Sequence, residues 1–297
     1  MRQKKSALRE QRKRKKSWIL LVPILIFAVG AGIFLYPAVS NFLAEKNHEN
    51  VIRSYQSKVE NTDTGVLEEA WKQAEEYNEN LAGDPVHDPF VMGSGYVLPE
   101  NYEEVLNING DGVMGYVNIP KIDVYLPIYH GTSEEVLQEG AGHLEATALP
   151  IGGDNRHSVI SAHRGLPSAE LFTRLDEMEI GDVFYIHVLE RTLAYEVDQI
   201  EIILPEELDL LVPEKDKDFV TLLTCTPYAV NTHRLLVRGS RIPYEETEEN
   251  GSGTSVTTVE STWIGAYLFA VVIGVALIVI IALIIIVVRA VRKKRRR

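Results

Sequence analysis

Residues 221–241 read TLLTCTPYAVNTHRLLVRGSR, and the rest of the chain is read outward from this stretch. Phe219, Val220, Leu222 and Leu223 form an apolar, strand-like run that leads into Cys225, the only cysteine in the sequence. A polar turn follows with Thr226, Pro227, Asn231 and Thr232. A second strand-like run, Leu235-Leu236-Val237, carries Arg234 at its start. Two strands joined by such a loop place a thiol and a guanidinium at the same end of a sheet.

Further strands are expected at 115–119, 122–129, 157–162, 183–189, 192–203, 218–225 and 234–241, where Val, Ile, Leu, Tyr and Thr dominate and Gly, Pro and Asp mark the breaks. One short helix is expected near Ser168 to Met178. So many short strands suggest a closed barrel or a sandwich, and periodicity does not choose between them. Before them, residues 40–83 read as polar helix. Leu67, Ala70, Trp71, Ala74, Tyr77 and Leu81 recur at helical spacing with glutamates between. Gly83-Asp84-Pro85 ends that pattern, and 84–112 read as loop. Asn107 to Gly112 matches the start of an EF-hand calcium loop, but Asn118 stands where the bidentate Glu should be, so a turn is expected. After Pro243 the chain becomes acidic and low in complexity, a flexible tether over 244–262.

The net charge of −12 hides a segregation. Residues 1–17 hold nine Lys/Arg and one acid, and 289–297 hold seven Lys/Arg and none. Between them stand 14 Lys/Arg against 41 Asp/Glu, a net charge near −27. Each basic tail abuts an uncharged apolar run, Trp18 to Val39 and Trp263 to Val288. The first, as a helix, is about 33 Å long, enough to cross a bilayer. Basic outer flanks put both termini in the cytoplasm and the acidic middle outside. This placement argues against a nucleic-acid reading of the tails. Ala38-Val39-Ser40 also fits a signal-peptide cleavage site, and in either case the middle is exported. An exported domain with one cysteine cannot form an internal disulfide.

A lone cysteine is more often a small buried hydrophobe than a nucleophile. Cys225, however, ends a strand beside a polar loop, in a compartment where a thiol is exposed to oxidation. A nucleophilic thiol needs a proton-transfer partner, usually histidine. Of eight histidines, His163 follows the run Ser158 to Ala162 at a strand-to-loop junction. His157 shares its strand parity but would lie about 20 Å away at strand rise, so the two cannot ligate one metal. Arg234 and Arg238 share one strand face, and the pattern alone does not choose between them.

The run Thr221-Leu222-Leu223-Thr224-Cys225, with Arg234 nine residues on, and the run HSVISAHRGLPSAELF at 157–172 together resemble the sortases, cysteine transpeptidases of Gram-positive cell surfaces. The resemblance covers roughly residues 84–243. It implies a mainly β fold: a closed eight-stranded sortase-type β-barrel with N-terminal helices, flanked by two transmembrane helices. It implies Cys225, His163 and Arg234 as catalytic residues, with Arg234 holding the peptide or the oxyanion. His87-Asp88-Pro89-Phe90 resembles the lid of the pilin-polymerising class C, in which the Asp pairs with the catalytic Arg and the aromatic ring covers the Cys. Here the lid is Asp88, Pro89 and Phe90, with Phe where Trp often stands.

The implied reaction is cleavage of an LPXTG-like sorting signal after Thr, a thioester on Cys225, and transfer to a lysine amine of a pilin subunit. It implies no cofactor and no metal. Its partners are pilin subunits bearing sorting signals and acceptor lysines, and the membrane, but no nucleic acid. The parts are then a basic tail (1–17), a span (18–39), a helical membrane-proximal region (40–83), lid and loop (84–112), a catalytic barrel outside the cell membrane (113–243), the tether (244–262), a second span (263–288) and a second tail (289–297). The alternatives are a housekeeping sortase that anchors proteins to cell-wall precursor, a thiol hydrolase, and a non-catalytic membrane-tethered assembly module.

Overall fold

The computed structural model describes residues 2–81, 90, 101–245 and 274, of which 2–24 by backbone alone. The chain divides into Met1–Gly253 and Thr254–Arg297, and of the second unit only Gly274 is described, in a helix. Apart from Gly274, the second expected span therefore lies outside the described residues.

Helix α1 runs unbroken from Arg2 to Glu60. Its part from Leu25 to Glu60 is, among the described residues, the one helix long and apolar enough to cross a membrane, with a mean hydropathy of 1.7 in its most apolar stretch. The sequence reading divides α1 at residue 40, yet helical hydrogen bonding continues across that boundary. The C-terminal part of α1 docks on the barrel. Tyr55 Oη donates to the Met114 carbonyl (3.1 Å) and accepts from the Leu189 amide (2.8 Å), and Gln56 donates to Tyr116 Oη (2.8 Å). Asn41 Oδ1 accepts from the Glu170 amide at 2.6 Å.

Helix α2 (Thr64–Asn80) begins at Asp63, whose carboxylate accepts from the Gly65 amide, an N-cap. It buries Leu67, Trp71, Ala74 and Tyr77 along one face. Asn78, also buried, meets the Leu149 backbone with both amide atoms.

Eight strands follow: β1 (Val113–Ile119), β2 (Val124–His130), β3 (Ala141–His143), β4 (Arg156–Ser161), β5 (Val183–Val188), β6 (Arg191–Ile203), β7 (Asp218–Thr226) and β8 (His233–Ile242). They close a barrel in the order β1-β2-β3-β4-β7-β8-β6-β5. The β2–β3 and β4–β7 pairs are parallel and the others antiparallel. The closed, mainly β architecture agrees with the sequence reading.

Three details differ from that reading. The strand expected from 122 starts at Val124, because Pro120–Ile122 forms a 3₁₀ turn. The three-residue β3 and the short helix α3 (Glu134–Glu139) were not expected. The helix expected near Ser168 to Met178 is instead a loop ending in a single 3₁₀ turn, Leu175–Glu177. Leu171 takes φ +43°, a left-handed conformation that no α-helix can run through.

Val220, Leu222, Leu235 and Val237 point into the barrel and join its main core with Phe184 and Tyr195. The alternate residues Leu223 and Leu236 point outward, yet they too are buried, in a second cluster with Leu144, Val159, Ile203 and Leu211. Coverage on both faces explains why β7 reads as a continuous apolar run rather than an alternating one.

Candidate active site

Cys225 and Arg234 are cross-strand partners in the antiparallel β7–β8 pair. Parity puts both on the outward face: Cys225 lies two residues beyond Leu223, and Arg234 two before Leu236. Directly opposed residues on one face have Cβ atoms about 5 Å apart. Both are almost fully covered, Cys225 being 5% exposed and Arg234 4%. Arg234 donates to the carbonyls of Asn231 (3.2 Å) and His233 (3.1 Å), which aims the guanidinium back over the β7–β8 loop.

Arg238, the alternative on the same face, is committed elsewhere. It bonds both oxygens of Asp198 (3.0 and 3.1 Å) and Glu214 (3.2 Å), and its guanidinium carbon lies 4.0 Å from the Phe219 ring centroid. The structure thus separates two arginines that strand parity leaves equivalent.

His163 leaves the sheet just after β4. The parallel β4–β7 ladder pairs Ser161 with Leu223, and the Ala162 amide still donates to the Leu223 carbonyl at 3.2 Å. Continuing that register brings His163 level with Cys225. Thr224 Oγ1 donates to the Ala162 carbonyl at 2.7 Å, and the Phe172 amide donates to the His163 carbonyl at 3.1 Å. The imidazole is half-buried. Burial lowers its pKa from 6.5 against the opposing pull of Glu134. It is therefore neutral near pH 7, the form that can accept a thiol proton.

Phe90 stands between these groups. Its ring centroid is 5.5 Å from that of His163, and the Arg234 guanidinium carbon lies 5.1 Å from the Phe90 centroid. Phe90 also packs on the outward cluster of Leu144, Leu223 and Leu236. Asp88 and Pro89 lie outside the described residues.

Two side chains that the sequence did not single out also border the site. Arg164 donates to Thr226 Oγ1 at 3.1 Å and pairs with Asp176 at 2.5 Å. Gly165 takes φ +83°, and a Cβ there would stand 3.0 Å from the Tyr228 ring. Their one sequence signal is adjacency, Arg164 to His163 and Thr226 to Cys225.

Two other histidines, His157 and His143, have structural partners. His157 Nδ1 donates to the Val212 carbonyl and Nε2 accepts from Thr221, and burial lowers its pKa to about 4. His143 Nε2 donates to the Ala148 carbonyl and Nδ1 accepts from Tyr102, and burial lowers its pKa to about 3. In the calcium-like turn, Asn107 and Asp111 spend side-chain oxygens on the amides of Gly112 and Val113. No group of three or more metal-ligating side chains gathers among the described residues.

A family profile described as the sortase domain matches residues 117–242, the span of strands β2 to β8 and the end of β1. A solved Streptococcus pneumoniae sortase C, whose structure has been related to catalysis and pilin substrate specificity, is 48% identical. The match covers 66% of this chain and 97% of that one, with a TM-score of 0.61. Sortase C-1 of Actinomyces oris is 46% identical over 60% of this chain and 99% of its own, with a TM-score of 0.57. Sortase D of Bacillus subtilis is 28% identical over 131 residues, 43% of this chain and 63% of that protein, so the match spans less than two thirds of that relative. A barrel of this strand order, nearly half identical to solved sortases over almost their whole length, establishes that the chain belongs to the sortase family of cysteine transpeptidases.

Proposed function

We propose that the chain is a pilin-polymerising transpeptidase in which Cys225 is the nucleophile, His163 transfers protons and Arg234 faces the developing oxyanion. The observation that carries this reading is the cross-strand pairing of Cys225 with Arg234 on the outward barrel face, level with His163. This region lies within residues 117–242, which match the sortase domain, and the chain is nearly half identical to two solved sortases C. The proposed substrates are pilin subunits bearing an LPXTG-like sorting signal and acceptor lysines.

In this reaction His163 takes the Cys225 proton, and the thiolate adds to the carbonyl carbon of the signal's Thr. The carbonyl electron pair moves to oxygen, and Arg234 faces that charge. Collapse breaks the Thr–Gly C–N bond, and the leaving amine takes the proton from His163. A thioester remains on Cys225. The Nζ of a pilin lysine then adds to the thioester carbonyl and gives its proton to His163. Expulsion of the Cys225 thiolate leaves an isopeptide bond, and return of the proton resets the pair.

Asp88, Pro89 and Phe90 form the lid in this reading, with Asp88 paired to Arg234 and the Phe90 ring over the thiol. Residues 18–39 within α1 and residues 263–288 anchor the chain in the cell membrane, and the barrel, residues 113–243, works outside it. Intact-mass spectrometry of the full chain in detergent with an LPXTG-type peptide tests the proposal. The expected result is an adduct equal to the peptide's acyl part. It should be missing in Cys225→Ala and be converted to product by a lysine-bearing pilin. If folded wild type and a lid variant (Asp88→Ala with Phe90→Ala) both give no adduct, the reading fails.

A further inference from the structure

Two side-chain bonds straddle the proposed catalytic pair. One precedes it in both strands, Thr224 Oγ1 to the Ala162 carbonyl at 2.7 Å. The other follows it in both, Arg164 to Thr226 Oγ1 at 3.1 Å. Between them stand His163 on one segment and Cys225 on the other. The backbone ladder between β4 and β7 ends at Ala162, so it holds His163 from one side only. On the far side the Arg164 bond takes over the work of a ladder bond.

We propose that Arg164 is a positioning residue that sets where His163 stands relative to Cys225, by clasping the loop after β4 to Thr226. The proposal rests on the roles given above to Cys225 and His163.

Three features support it. The Arg164 side chain is 9% exposed although its ion partner Asp176 is half exposed. A surface ion pair would not need that burial. Its Nε–H is buried with no hydrogen-bond partner among the described residues. A buried donor left unsatisfied is costly, so the guanidinium is held where it is by what its other two nitrogens bond. The planar fork directs one nitrogen to Asp176, in the 3₁₀ turn Leu175–Glu177, and another to Thr226, a geometry a lysine cannot reproduce. Beside it, Gly165 lets the loop lie against the Tyr228 ring, so the same two segments also meet by packing.

The test uses the full chain in detergent with two readouts: the rate of acyl-adduct formation with an LPXTG-type peptide, and the pH profile of Cys225 alkylation by a small thiol reagent. Thr226→Val keeps the shape and removes the acceptor. It is expected to lower the acylation rate about tenfold, as small misplacements of reacting groups do, and to shift the alkylation profile, with the melting temperature nearly unchanged. Thr226→Ser keeps the hydroxyl and is expected to restore both readouts. Arg164→Gln removes the other end of the same bond, so adding Thr226→Val to it is expected to cost nothing further. Wild-type rate and profile in Thr226→Val, or losses that multiply in the double variant, would overturn the clasp. Should Arg164→Gln fail to fold, the Thr226 variants decide alone. His163→Gln separates the two readings. If it leaves the alkylation profile unchanged, the proposed pair fails and the clasp with it. If it shifts the profile while Thr226→Val does not, only the clasp is lost.

Discussion

The Arg234 guanidinium carbon lies 5.1 Å from the centroid of the Phe90 ring, and the same ring lies 5.5 Å from the His163 ring. One aromatic side chain thus lies against a cation and an imidazole at once, and the thiol paired with that cation across the strands is 5% exposed.

Removing that ring should uncover the thiol. Phe90→Ala is expected to raise the rate of Cys225 alkylation several-fold at pH 7, read by intact mass. Because burial is what lowers the His163 pKa, exposure should move it back up toward 6.5. The acid limb of the alkylation profile should then shift to higher pH. An unchanged rate and profile would show that Phe90 guards nothing.

Arg234 and Arg238 should respond differently to the same change. Arg234→Gln is expected to lower acyl transfer by about 10²–10³-fold, the cost of losing one oxyanion donor. Arg238→Gln breaks bonds to Asp198 and Glu214 and should act mainly on stability. Single-turnover rates and melting temperatures on both variants check this. Equal rate losses would contradict the assignment.

Stability should fall on mild acidification. His143 and His157 are held neutral in the fold, with pKa values lowered to about 3 and about 4, whereas both protonate below about 6.5 in the unfolded chain. Between these limits the unfolded state binds two more protons, so stability drops as pH falls. The slope from the pair approaches about 2.7 kcal/mol per pH unit near pH 5. His157→Gln should remove about half of that slope, measured by urea unfolding at pH 7, 6 and 5. An identical pH dependence in the variant would refute the argument.

Gly239 should tolerate no side chain. A Cβ there would stand 2.6 Å from the Phe184 ring and 2.9 Å from Tyr195 Cβ. Gly239→Ala is expected to cost about 1–3 kcal/mol by overpacking. Chemical denaturation measures it, and a loss under a few tenths of a kcal/mol would mean the barrel yields more easily than its packing implies.

The long strands were legible because each is a run of six or more residues dense in Val, Ile, Leu and Tyr. Ala141–His143 was not, being three residues with no periodicity. It pairs because Gly142 lets the backbone approach the Gly131 carbonyl, which would lie 2.3 Å from any Cβ. The helix expected after Ser168 failed on the backbone of Leu171, which composition does not reveal. In the site, Cys225 and His163 stood out at strand ends. Strand parity left Arg234 and Arg238 equivalent and only the resemblance preferred Arg234; that Asp198 and Glu214 hold Arg238 is visible only in the folded barrel. Phe90 was readable only through family resemblance, since one aromatic in a Gly- and Pro-rich loop carries no pattern of its own.

Helix α1 carries one more consequence. It passes without a break from its apolar stretch into the residues that bond the barrel at Asn41, Tyr55 and Gln56. A helix so joined works as an axle rather than a leash. Any tilt or roll of its apolar end turns the barrel with it, and the barrel face that carries Cys225 keeps one bearing. On the proposed function, incoming pilin subunits would then have to orient themselves to the enzyme, and a growing polymer would have a fixed point from which to be extruded.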